Sequence, residues 1–151
     1  MTKPRLEKNV WVLIADGGRA LVLRNEGDEM YPNLKVVQTY AIENPPMHEQ
    51  GTDRPGRTND AFGNKSSVGQ TDWHQQAENR FMHTLAADLD RQHEAGAFKS
   101  LIIAAPPTAL GELRKAESAN LKKAVIADIH KDWTHMPIHK IEKAVTKALA
   151  E

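Results

Sequence analysis

The chain has 151 residues, with 20 Lys and Arg set against 20 Asp and Glu, seven His and no Cys. That length closes one hydrophobic core, so one domain over residues 1–151 is expected, and neutrality excludes a uniformly basic nucleic-acid binder. The missing Cys excludes disulfides, thiolate metal sites and cysteine nucleophiles, and no apolar run reaches the roughly 20 residues that cross a bilayer.

The first ten residues, MTKPRLEKNV, lack the apolar core of a signal peptide, so a cytoplasmic protein without membrane contact is expected. Val10 to Ala15 is a continuous apolar run, the pattern of a strand covered on both faces. Asp16-Gly17-Gly18-Arg19 follows, then Ala20 to Leu23, and the glycine pair supplies the positive φ that a tight hairpin needs. Asn25-Glu26-Gly27-Asp28 is a second turn signal, and Leu34 to Ile42 reads as a third strand.

Residues 43–71 break the pattern, holding four of the nine Gly and three of the eight Pro, with Phe62 the only aromatic. A connection of this length is either functional or disordered. The expectation is a long mobile loop, or a segment that orders on a partner through Arg54, Arg57 and Lys65 as phosphate contacts, with Gly69-Gln70 at its far end. Residues 72–95 predict a helix capped by Thr71 or Asp72, with Trp73, Ala77, Phe81, Leu85 and Leu89 along one face and Gly96 at its stop. Leu101 to Ala105 is a buried strand, and Pro107 opens a helix with Leu110 and Leu113 inward. Residues 121–130 suit a helix through Leu121, Val125 and Ile129 or a strand from Val125; the alternating order favours the strand. Pro137 opens a last helix with Ile138, Ile141, Val145 and Leu149 inward. The predicted fold is α/β, a mixed five-stranded sheet in β-β-β-α-β-α-β-α order, of the ribonuclease H-like kind.

His130, His135 and His139 lie close to Asp128 and Asp132, but Pro137 interrupts the i, i+4 spacing of helical ligands, so surface histidines are expected and no metal site. His74, His83 and His93 do not share a helical face. Neither a phosphate-binding glycine loop nor G-x-S-x-G occurs, so no nucleotide cofactor and no serine-elbow hydrolase is expected. Asp16, at a strand end, is either the first residue of a hairpin turn or the first acid of a metal-dependent nuclease, with Asp88 or Asp90 and Asp128 as the other acids. Arg114, Lys115, Lys122 and Lys123 form a basic cluster, and Lys140, Lys143 and Lys147 a stripe, each read as solubility or as contact with RNA backbone.

The segments WVLIADGGRALVL, Pro55-Gly56-Arg57, LIIAAPPTALGELR and HKDWTHMP resemble the bacterial host attachment protein family, nearly end to end. That family is similar in turn to the middle domain of archaeal and eukaryotic class-1 release factors, in which a loop glutamine enters the peptidyl-transferase centre. The resemblance implies a non-enzymatic module that binds ribosome or tRNA, and no stop-codon reading is expected because the family's flanking domains have no counterpart in this sequence. It aligns Gly69 and Gln70 with the end of the release-factor Gly-Gly-Gln, with Val68 in place of the first Gly. Contacts are expected from Gly56, Arg57, Gly69 and Gln70 in the loop and from Arg19 and Arg114 on the scaffold. Peptidyl-tRNA hydrolysis through Gln70, the Asp16 nuclease, and a protein-interaction module in adhesion acting through residues 43–71 are the rival readings.

Overall fold

The computed structural model describes residues 3–42 and 59–151, with residues 59–72 described as helical backbone only. Its elements are β1 (Trp11–Ala15), β2 (Arg19–Asn25), β3 (Leu34–Ala41), α1 (Asn59–Glu94), β4 (Leu101–Ala104), α2 (Pro107–Ala116), α3 (Ala119–Ala124), β5 (Val125–Ile129) and α4 (Ile138–Ala150). The strands form one sheet in the order β3-β2-β1-β4-β5. β1 pairs antiparallel with β2 and β2 with β3, while β4 runs parallel to both β1 and β5. The expected mixed five-stranded α/β sheet is therefore the one observed.

The apolar run of β1 is buried on both faces because its side chains alternate between two cores. Trp11, Leu13 and Ala15 join Met82, Leu85 and Leu89 of α1 and Leu110 and Leu113 of α2. Val12 and Ile14 join Ile141 and Val145 of α4 on the other face. β4 alternates the same way, Leu101 and Ile103 to the first core, Ile102 and Ala104 to the second. β3 closes one edge and is largely exposed beyond Leu34, with a register shift opposite Val22 and Leu23. Such irregularities blunt an open edge.

Three sequence expectations change. The long helix begins at Asn59 and not at Thr71 or Asp72, so residues 59–71, expected as loop, are helical; residues 43–58 lie outside the described residues. Extending a helix already anchored by its buried carboxyl-terminal half adds one hydrogen bond per residue without a new nucleation cost, which offsets the poor propensities of Gly63, Ser66, Ser67 and Gly69. Its buried seam is Met82, Leu85, Ala86 and Leu89, while Trp73 is 46% exposed. A repeat of four drifts about 40° per step on a helix of 3.6 residues per turn, which carries Trp73 away from the seam. Residues 121–130 prove to be both readings in succession. Ser118 caps α3 by accepting from the Leu121 N–H at 3.0 Å, Leu121 is buried, and the strand begins at Val125.

Two buried polar groups govern local stability. Asn25 is fully buried at the end of β2; its amide donates to the Leu6, Glu7 and Asp28 carbonyls, and its oxygen accepts from the Gly27 and Asn33 N–H groups. It thereby ties the amino-terminal segment to the β2–β3 turn, where a Cβ on Gly27 would stand 2.1 Å from the Tyr31 carbonyl. Asn25→Ala strands several buried backbone groups and is expected to cost roughly 3 kcal/mol or more, read by urea unfolding; a loss near zero would mean that water replaces the amide.

Glu117 is the other, wedged where α2 meets α3, with Oε2 buried and unpartnered. Burial first, and then the charge of Asp128, raise its pKa from 4.5 to about 7, against the opposing pull of Lys122 and Arg114. Between those two values the folded chain holds more protons than the unfolded one, so this group's contribution to stability falls as pH rises from about 4.5 to about 7. Glu117→Gln is expected to gain stability over the parent at pH 8, with the difference shrinking on acidification to pH 5. Thermal unfolding at the two pH values measures it.

Candidate functional site

The carboxyl ends of the three parallel strands meet on one edge of the sheet. Asp16 follows β1, Pro106 and Thr108 follow β4, and the segment from His130 to Pro137 follows β5. β3 ends there too, since Arg19 pairs with Ala41 and the Ile42 N–H donates to the Gly18 carbonyl at 2.9 Å. Ile42, the last described residue before 43–58, therefore stands at this edge. In open α/β sheets ligands favour this side, because no strand continues to cover the backbone there.

The β1–β2 turn is built for tightness. Gly17 has φ +98°, and a Cβ on it would press on the Glu78 carboxylate of α1 at 3.3 Å. Asp16 Oδ1 accepts from the Gly18 and Arg19 N–H groups at 3.0 and 2.9 Å, the turn role that its position suggested. Its second oxygen faces outward to the β5–α4 segment. Thr134 Oγ1 lies 3.0 Å from Asp16 Oδ2 and 2.6 Å from Asp132 Oδ1. One hydroxyl hydrogen serves one carboxylate at a time, so the pair needs further positive charge. Arg19 supplies it: Nε is 3.9 Å from Asp16 Oδ2, and Nη2 is 2.9 Å from His135 Nδ1. The Thr134 hydroxyl, then its N–H, and the charges of His135 and Arg19 hold the Asp132 carboxyl below its ordinary range against the opposing cost of desolvation.

Asp16, Asp132 and His135 each offer a ligand atom, all within 4.8 Å of one another. Two carboxylates and an imidazole suit a divalent cation chemically. The Arg19 guanidinium already stands against His135, so an ion would have to displace it. The sequence expectation of no metal site thus meets a donor set that only the fold assembles. Of the three histidines weighed together, His135 alone belongs to it among the described residues.

The acids proposed to join Asp16 are engaged elsewhere. Asp88 accepts from Tyr40, Arg91 and Gln92. Burial opposes its charge, and those hydrogen bonds overcome the penalty and keep its carboxyl low; burial and the Asp88 charge push the Tyr40 hydroxyl up to about 12. Asp90 accepts from the Ser118 hydroxyl at 2.5 Å, and Asp128 holds Arg114 at 2.5 Å. Arg114 is thus committed to an ion pair, whereas Arg19 lies in the corner. Gly69 and Gln70 fall within α1, and Lys65 does too; Arg54, Gly56 and Arg57 lie outside the described residues. Sequence reasoning weighs Asp132 beside the histidines as a metal ligand and sets it aside, and it misses Thr134 as a site residue. The signal for Thr134 in the sequence is HKDWTHMP, the segment that carries part of the family resemblance.

The cavity beside Asp16, lined also by Glu78, Asn79, Thr108 and Glu112, measures about 70 Å³. Small-molecule sites are typically about 300–1,000 Å³, so this cavity is too small to enclose such a ligand. Among the described residues no helix is long and apolar enough to cross a membrane.

No curated protein matches the sequence. Among solved structures, the chain is similar to an archaeal translation termination factor, aRF1, with a TM-score of 0.49 and 16% identity. The likeness covers 95% of this chain and 37% of that one. None of these matches carries a host-attachment name. The family model of the bacterial archaeo-eukaryotic release factor family 12 matches residues 9–145, from the residue before β1's apolar run into α4, and the chain belongs to that family.

Proposed function

We propose that this chain is a release-factor-like module that binds the ribosome or tRNA without catalysing a reaction of its own. The observation that carries the reading is the family match over residues 9–145, which takes in all five strands. The sheet edge described above supports it: Arg19 and His135 stand on an open surface, and Ile42 stands at the same edge. A non-enzymatic role is favoured because Asp88, Asp90 and Asp128 are each held by partners away from Asp16. The helical backbone at Gly69 and Gln70 also differs from the loop that the release-factor resemblance implied.

Phosphate contacts by Arg54, Arg57 and Lys65 make the binding salt-dependent. The purified chain is expected to co-sediment with ribosomes in low salt and to dissociate between roughly 50 and 200 mM. Arg57→Ala is expected to weaken it, and Gln70→Ala to leave it intact. A chain that stays at the top of the gradient at low salt would sink the reading. Nuclease-resistant capture of a protein partner, without ribosome binding, would favour the adhesion role suggested by the host-attachment resemblance.

A further inference from the structure

The exposed side of α4 is an unpaired basic stripe. At about 100° per residue, Lys140, Lys143 and Lys147 fall within an arc of about 60°, almost opposite the side that buries Ile141 and Val145. All three are exposed. Several basic side chains elsewhere are matched by acids, Arg24 with Glu26, Arg91 with Asp88, Arg114 with Asp128 and Lys115 with Glu112, while Lys122 and Lys123 of α3 stand unpaired among the described residues, as the α4 lysines do. Among the described residues no carboxylate comes within ion-pair distance of the α4 lysines, and Glu142 of the same helix spends its carboxylate on the Leu34 N–H at 2.7 Å. The stripe also continues from the corner. α4 starts directly after the segment that carries His135, and at its other end the Lys3 ammonium donates to the Ala150 carbonyl at 3.0 Å.

We infer that Lys140, Lys143 and Lys147 form a docking rail for an RNA backbone. The inference rests on the release-factor-like reading and adds the face through which RNA is held. Neighbours three and four apart on a helix have Cβ atoms about 5–6 Å apart, a step that matches successive phosphates along a strand. Unpaired ammonium groups release the phosphate counterions without first breaking an internal ion pair, which is the source of affinity in such contacts. An anionic membrane is the poorer partner, because the apolar side of α4 is buried beneath the sheet and cannot insert.

The test compares the full chain with Lys140→Gln/Lys143→Gln/Lys147→Gln, and with Lys8→Gln/Lys99→Gln ahead of β1 and β4 as control, using purified ribosomes and bulk tRNA across a salt series. All substituted side chains are exposed, so the variants are expected to fold as the parent does. The triple variant is expected to lose affinity at least tenfold at low salt and to flatten the slope of log K against log salt by about 2. The control is expected to change neither. Unchanged affinity and slope in the triple variant, with the parent bound, would overturn the rail and leave the ribosome reading standing. A parent that binds neither probe would overturn both. Lysine-dependent binding to phosphatidylserine vesicles, with none to RNA, would also overturn the rail.

Discussion

Everything in this fold depends on β1 being buried on both faces while hydrogen-bonded on both edges. Trp11 to Ala15 leave no position for a polar side chain, because each faces one of the two cores and the backbone is paired to β2 and β4. The first residue free to be polar is Asp16, and it stands where the strand leaves the sheet. The same constraint acts on β4, which is followed by Ala105 and Pro106. Chemistry is thereby driven to one edge of the sheet, and the two cores below it hold that edge in shape.

At that edge the charges are coupled rather than free. Asp16 spends one oxygen on the turn and turns the other to Thr134, so that hydroxyl and the Arg19–His135 contact join the hairpin to the β5–α4 segment. Arg19 balances the two carboxylates and packs on His135. A neutral chain can still carry a local field in this way, since screening confines each charge to its near neighbours. Arg91, Arg114 and Lys115 are cancelled within such pairs, while α4 leaves its lysines outward.

Hydrophobic pattern made most of the architecture legible. β1 and β4 were readable as runs, and the two proline-led helices as periodic faces, because burial acts on local sequence spacing. The errors have a common cause. The start of α1 was missed because propensity near Gly63 and Gly69 is poor, whereas helix extension depends on an anchor many residues away. Trp73 was placed on the buried face by a four-residue repeat that the true helical period does not sustain. The helical reading of residues 121–130 was set aside for the strand because α3 is only six residues long, and Asp90, which holds its cap residue Ser118, is remote in sequence.

Spacing along the chain was sufficient for the mixed α/β sheet, the turn role of Asp16 and the outward lysines of the last helix, since each depends on residues close in sequence. Which acids share a site was decided by the tertiary structure alone. Asp16 and Asp132 lie at the ends of different strands, and only the parallel pairing of β1, β4 and β5 brings those ends together. The same pairing leaves Asp128 inside β5 with Arg114, where its register opposite Ile103 points it away from that company.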